Sequence, residues 1–246
     1  MTTHARFTAW AARVAALALG AALLGGCASG PHANPADPFE PYNRGMTTFN
    51  DNVDKAVLKP VATLYRDATP QPLRTGVGNF FANLGDAWSF VNNLLQLRPL
   101  EAYDSMVRFS VNSVLGLGGV LDIASEMGVE RHRQDFGLTL GRWGVPTGPY
   151  LVLPLLGPST VRDTAALPVD YMVGDLADHV HDVPVRNSLY GLRFIDKRAQ
   201  LLGATTVLDE AALDPYSFTR DVYLKLRNPA DAGAVDDQGG KLPEDY

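Results

Sequence analysis

Residues 77–95 read VGNFFANLGDAWSFVNNLL, and this stretch decides the fold class. Val77, Phe80, Phe81, Leu84, Trp88, Val91 and Leu95 recur at steps of three and four, which places them along one side of an α-helix. Asn79, Asn83, Asp86 and Asn93 fall off that stripe, so the spacing predicts an amphipathic helix with its polar residues turned elsewhere. Working outward, Tyr103, Met106, Val107, Val111, Val114 and Leu115 continue the period until Gly116, Gly118 and Gly119 break it, and residues 120–127 fit a further short helix. Leu189, Leu192, Ile195, Ala199 and Leu202 mark another helix after Pro184, and Phe218, Val222, Tyr223 and Leu226 a last one after Asp214-Pro215. Strand-like alternation is scarce, and residues 138–140 are too short to matter. The predicted body, residues 37–227, is all-α.

One segment fits neither helix nor ordinary loop. Residues 143–161 carry no charge and are closed by Arg142 and Arg162. Their number matches a membrane span, but Pro146, Pro149, Pro154 and Pro158 would break a helix repeatedly. Irregular backbone at membrane depth is tolerated only where protein buries it or where it lines a wet cavity. The residues alone therefore leave two readings open: a buried loop in a soluble body, or the wall of an opening in a membrane-embedded one.

The N-terminus reads as an export signal. Arg6 and Arg13 precede an uncharged run from Val14 to Leu24, about 11 residues where a crossing needs about 20, closed by Gly25 and Gly26 before Cys27. Leu24-Gly25-Gly26-Cys27 resembles the bacterial lipobox, which makes Cys27, the single cysteine, a lipidated residue rather than a disulfide partner. The expected organisation is a signal peptide over residues 1–26, a lipidated tether over 27–36, the helical body, and an acidic disordered tail over 228–246. Ala28 is not the Asp that retains many lipoproteins in the inner membrane, so the outer membrane is expected.

Without residues 1–26, which hold Arg6 and Arg13, 220 residues remain with 19 Lys+Arg against 27 Asp+Glu, a net charge of about −8. An acidic chain without a basic stripe argues against nucleic acid. No Gly-x-Ser-x-Gly elbow, His-Glu-x-x-His or phosphate loop occurs, so no catalytic residue and no cofactor is assigned. His179 and His181 beside Asp175, Asp178 and Asp182 have metal-ligand types, but a solvated acidic face explains them more cheaply, and no metal is assigned.

Residues 37–54 contain Asp37-Pro38-Phe39-Glu40-Pro41-Tyr42-Asn43-Arg44, Phe49-Asn50 and Asp54. This run resembles the opening signature of the MlaA (VacJ) family of outer-membrane lipoproteins. The likeness recurs at residues 112–119 (NSVLGLGG), 136–141 (FGLTLG), Trp143-Gly144-Val145, Gly148-Pro149-Tyr150, Arg162-Asp163, 198–202 (RAQLL) and Asp214-Pro215-Tyr216. The resemblance implies a ring of amphipathic helices lying in the periplasmic leaflet of the outer membrane around a central amphipathic channel. It further implies phospholipid as cargo, removed from the outer leaflet to maintain lipid asymmetry, a trimeric porin as partner, and a soluble periplasmic lipid carrier of the MlaC type as recipient.

The resemblance also turns residues 143–161 into an expected channel wall, with Arg142, Trp143, Gly144, Pro149, Tyr150, Arg162 and Asp163 as candidate lipid-channel residues. Arg142 and Arg162 would pair with phosphate, or else form salt bridges with neighbouring acids. Asp37, Glu40, Asn43 and Arg44 are read first as capping and packing residues of the first helix and second as lipid contacts; Phe49 and Asn50 are placed near channel closure. Two other functions fit the residues: a structural lipoprotein that organises porins, and a membrane-anchored lipid hydrolase.

Overall fold

The computed structural model describes residues 37–228, with side chains 207–211 excepted. The signal peptide, Cys27, the tether and nearly all of the acidic tail lie outside the described residues.

The described chain begins with α1 (Glu40–Val53), a π-helical turn at Asp54–Leu58, α2 (Lys59–Ala68), α3 (Gln71–Leu95), α4 (Pro99–Val114), α5 (Ile123–Glu126) and α6 (Phe136–Arg142). Next come strands β1 (Tyr150–Leu153) and β2 (Gly157–Thr160), α7 (Val161–Val169), a second π turn at Asp170–Gly174 and a 3₁₀ turn at Leu176–His179. The chain continues through α8 (Val183–Gln200), α9 (Leu202–Ala211) and α10 (Pro215–Leu226). Both π turns adjoin a proline. Pro60 and Pro168 lack the N–H that would close a regular turn and crowd the carbonyl four residues back, so the ladder widens locally. Asp135, Thr160, Asp182 and Asp214 cap α6, α7, α8 and α10 by accepting from the first-turn N–H groups.

The helical expectation holds, with one addition. Residues 143–161, read as a loop or a channel wall, contain an antiparallel hairpin in which Tyr150 pairs with Thr160 and Leu153 with Gly157. Leu155 turns the hairpin with φ 62°. The prolines that exclude a helix leave a two-stranded ribbon possible, because Pro158 sits where an edge strand needs no further donor.

The packing forms a closed circuit. α1 lies on β1, β1 pairs with β2, and β2 meets α7. α7 packs on α6, α6 on α3, α3 on α8 and α8 on α2, which the first π turn joins back to α1. The helices thus enclose a space instead of collapsing on a single core. The buried apolar clusters are correspondingly small: Ala62, Ala199 and Leu202 in one place, Tyr150, Val152 and Tyr216 in another.

The polar face of α3 packs against α4, while Phe81, Leu84 and Trp88 of the apolar stripe face the enclosed space. Asn93, Asn83 and Asp86 are 0, 1 and 2% exposed, whereas Val91 and Leu95 of the apolar stripe are open to the outside. Between the two helices, Asn83 donates to Ser113 Oγ (3.0 Å), Asn93 to Ser105 Oγ (3.2 Å), and Asp86 meets Arg108 Nε (3.4 Å). Arg108 also holds Asp122 at 2.8 Å, and Asp122 accepts from Asn112 Nδ2 at 2.9 Å. Leu97 and Leu100 at the turn between α3 and α4 are 87 and 78% exposed. Large apolar side chains outside and a hydrogen-bonded polar seam inside is the arrangement expected where the surroundings are lipid, in which polar groups must find partners within the protein. Among the described residues no helix is long and apolar enough to cross a membrane.

Candidate functional site

Two cavities of about 480 and 550 Å³ occupy the enclosed space. Asp135, Leu167, Asp170, Tyr171, Arg193, Lys197 and Leu201 belong to both walls, so the cavities adjoin, and together they are called the passage. At one end the passage is bordered by Asn50 and Asp54 from α1 and the first π turn, and by Leu153, Leu155 and Leu156 of the hairpin. At the other it is bordered by Phe81 and Trp88 of α3, Gly174 of the second π turn, and Leu176. Leucines and aromatic rings alternate with charged groups around it, a lining suited to a ligand that is apolar at one end and ionic at the other.

Each acid on this wall is held. Asp170, on the second π turn, accepts from Trp88 Nε1 (2.7 Å) and from the Phe136 amide (2.8 Å); its burial raises its pKa despite those two bonds. Asp135 and Asp163 share Arg227, at 2.6 and 2.8 Å. Burial opposes ionisation of Asp163, but Arg227 and then Arg162 outweigh it and lower its pKa. Arg198 pairs with Asp54 at 2.6 Å and Arg193 with Asp175 at 2.8 Å. Lys197 lies one turn beyond Arg193 on α8. The surface it exposes faces the passage, and burial, followed by the charges of Arg193 and Arg133, lowers its pKa.

A second constellation lies outside the passage. Asn43, fully buried, donates to Asp37 Oδ1 (2.8 Å) and to the Tyr150 carbonyl (3.1 Å), and its Oδ1 accepts from the Val152 amide (2.8 Å). Asp37 also accepts a hydrogen bond from Tyr216 Oη and faces Arg220. Arg44 joins Glu40 (2.8 Å) to Asp214 (2.7 Å) and lies over the Tyr216 ring, 4.3 Å from its centroid. This latch ties α1, β1 and α10 together. Asn50 extends it to the hairpin tip, donating to the Leu153 carbonyl (2.9 Å) and accepting from the Leu155 amide (2.7 Å).

The model of the MlaA lipoprotein family matches residues 35–230. The chain belongs to the MlaA lipoprotein family. It is 39% identical to the intermembrane phospholipid transport system lipoprotein MlaA of Escherichia coli strain K12, over 87% of this chain and 86% of that one. To the Haemophilus influenzae protein of the same name it is 34% identical, over 92 and 94% of the two chains. A solved structure described as the structural basis for maintenance of bacterial outer membrane lipid asymmetry superposes with a TM-score of 0.68 at 35% identity, covering 78% of this chain and 97% of its own.

Placed on the fold, the opening MlaA signature works mainly through packing. Asp37, Pro38, Glu40, Asn43 and Arg44 build or flank the latch, but the capping expectation is corrected: the N-cap of α1 is Phe39, without a side-chain cap bond. Asn43 is spent on the hairpin backbone because Val152 N–H and Tyr150 C=O face it on β1. Phe49 is exposed, and of the signature residues Asn50 and Asp54 border the passage.

The channel candidates are corrected too. Of Arg142, Trp143, Gly144, Pro149, Tyr150, Arg162 and Asp163, Asp163 reaches the passage wall. Arg162 is buried and committed: Nε donates to Asp163 Oδ1 (3.0 Å), Nη1 to Thr147 Oγ1 (3.4 Å) and Nη2 to the Arg227 carbonyl (3.0 Å). Tyr150 is buried against Tyr216 and Tyr223, and burial followed by the nearby Asp37 charge pushes its pKa up to about 12. Arg142, Trp143 and Gly144 sit outside the passage, where Trp143 Nε1 donates to the Leu95 carbonyl (3.0 Å). From the uncharged segment the wall takes residues 153 and 155–159.

The sequence reading missed Lys197, Arg193, Asp170 and Trp88. The available signal was the basic pair Arg193 and Lys197, four residues apart on a helix whose other faces carry Leu192 and Ile195. Among the described residues no group of three or more His, Cys, Asp and Glu side chains could hold a metal, and His179 rests its Nδ1 against the Asp175 carbonyl at 3.2 Å.

Proposed function

We propose that this chain is the outer-membrane lipoprotein of an intermembrane phospholipid transport system, and that it maintains lipid asymmetry by removing phospholipid from the outer leaflet through the passage. The observation that carries the proposal is the pair of adjoining amphipathic cavities within a circuit of helices rich in exposed leucine. The relatives named for phospholipid transport and the structure described for lipid asymmetry support it. Export with removal of residues 1–26 and lipidation of Cys27 deliver the protein. Several acyl chains, at about 0.8 kcal/mol per buried methylene, give a stable anchor. The body then sits in the periplasmic leaflet, with Leu97, Leu100, Leu115 and Leu117 against lipid, beside a trimeric porin, and releases its cargo to a soluble periplasmic carrier of the MlaC type.

Deleting the protein is expected to raise surface-exposed phospholipid and detergent sensitivity, and unchanged surface phospholipid refutes the proposal. Filling the shared wall by Leu167→Trp is expected to do the same at normal protein abundance. Porin co-purification without lipid and without any effect of deletion would favour a structural role, and serine- or histidine-dependent release of fatty acid a hydrolase.

A further inference from the structure

Lys197 stands in the passage without a counter-charge. Among the described residues neither it nor Arg133 has a carboxylate within ion-pair distance, and the charged groups acting on Lys197 are Arg193 and Arg133. Nearby acids are engaged elsewhere: Asp196 accepts from Tyr65 Oη (3.0 Å) and Gln200 Nε2 (2.7 Å), and Asp170, Asp175 and Asp135 have the partners given above. Three cations gathered on one wall of the passage, two of them without an ion-pair partner, draw an anion to that wall. The same stretch of wall carries exposed Tyr171, Leu176 and Leu201, an apolar surface for a chain attached to that anion.

We infer that Lys197, with Arg193 and Arg133, is a phosphate site in the passage that takes the headgroup phosphodiester of a phospholipid and favours net-anionic over zwitterionic headgroups. The inference rests on the reading of the passage as a phospholipid route. The preference follows from charge. A zwitterionic headgroup brings an ammonium beside the unpaired Lys197 and Arg133 and the Asp175-paired Arg193, whereas a glycerol headgroup adds only hydroxyls, which the guanidinium groups can hydrogen-bond.

The test uses the full lipoprotein in neutral detergent, titrated separately with phosphatidylglycerol, phosphatidylethanolamine and inorganic phosphate. Wild type is expected to bind phosphatidylglycerol more tightly than phosphatidylethanolamine. Lys197→Gln with Arg133→Gln is expected to weaken phosphatidylglycerol about tenfold, roughly the loss of one charge-assisted contact, and to abolish the preference. Lys197→Arg should retain it, and Arg66→Gln, which removes an exposed cation paired with Asp67 outside the passage, should change nothing. Because Lys197 has no ion-pair partner, Lys197→Gln is also expected to leave Tm unchanged or raise it.

An unaltered preference in the double variant overturns the inference, as does a Tm loss in Lys197→Gln that shows a structural role. Inorganic phosphate bound with equal dependence on Lys197 and no lipid discrimination identifies a free-phosphate site and overturns the headgroup assignment. Wild type binding both lipids equally, with no effect of the substitutions, removes this inference alone; wild type binding neither removes the transport reading with it.

Discussion

Replacing Asn43 by alanine tests whether the hairpin is pinned from α1. The side chain is fully buried and makes three hydrogen bonds, to the Asp37 carboxylate, the Tyr150 carbonyl and the Val152 amide, at 2.8 to 3.1 Å. Its removal strands a backbone donor and a backbone acceptor on β1, each costing about 1–3 kcal/mol when buried without a partner, and takes one donor from a buried carboxylate. The sum is about 3–5 kcal/mol, a large part of a typical folding free energy of about 5–15 kcal/mol. At about 2–4 °C per kcal/mol for a body of this size, Tm should fall by roughly 10 °C. Asn43→Asp keeps an acceptor for Val152 but turns a second oxygen toward Asp37 and the Tyr150 carbonyl, so it should lose at least as much. Ser188→Ala, which removes one exposed bond to the Pro184 carbonyl, should stay within about 0.5 kcal/mol. Thermal melts followed by circular dichroism in detergent measure all three. A fall of less than about 3 °C for both Asn43 variants would refute the reasoning.

Three further outcomes follow from the same geometry. Arg162→Met leaves the Arg227 carbonyl and part of the Asp163 carboxylate unpaired in a buried site, and should cost about 3 kcal/mol in denaturant unfolding, whereas Arg142→Gln at the exposed end of α6 should cost under about 0.5. Gly174→Ala puts a methyl 2.4 Å from Trp88 ring carbons, which must shift and weaken the Trp88 bond to Asp170; near-ultraviolet circular dichroism should change and stability fall by about 1–3 kcal/mol. Asp122 is held down to about 2: burial opposes ionisation, but hydrogen bonds from Ser125 and Asn112 and the charges of Arg108 and Arg131 outweigh it. Its folded pKa lies below the ordinary 3.8, so its contribution is fully present above about pH 4 and is lost as pH falls through about 2. Asp122→Asn should flatten the stability profile in that window, measured by urea unfolding at several pH values.

The sequence by itself determined the all-α class and placed α3, α4, α5, α8 and α10 in order, while α2, α6, α7 and α9 carry no stripe long enough to read. The three- and four-residue spacing from Val77 to Leu95 matches the 3.6-residue turn, so a helix is the one regular element that gathers those side chains on a face. Glycines 116, 118 and 119 end α4 where the spacing predicts. The family motifs mark the stretches that carry the fold, since Asp37, Asn43 and Arg44 meet residues more than 100 positions away only when α1, β1 and α10 come together.

Which face of each helix turns inward was decided only by the tertiary structure. Periodicity separates two faces of α3 but does not say which is buried; here the polar face is buried against Ser105, Arg108 and Ser113 of α4, and Phe81 and Trp88 of the apolar face line the passage. The hairpin was hidden because four prolines mask a two-stranded ribbon as irregular loop. Which residues line the passage was hidden for a related reason. Asp54, Asp135, Asp170 and Lys197 lie on separate elements, and no local pattern records that a closed circuit of helices brings them to one wall.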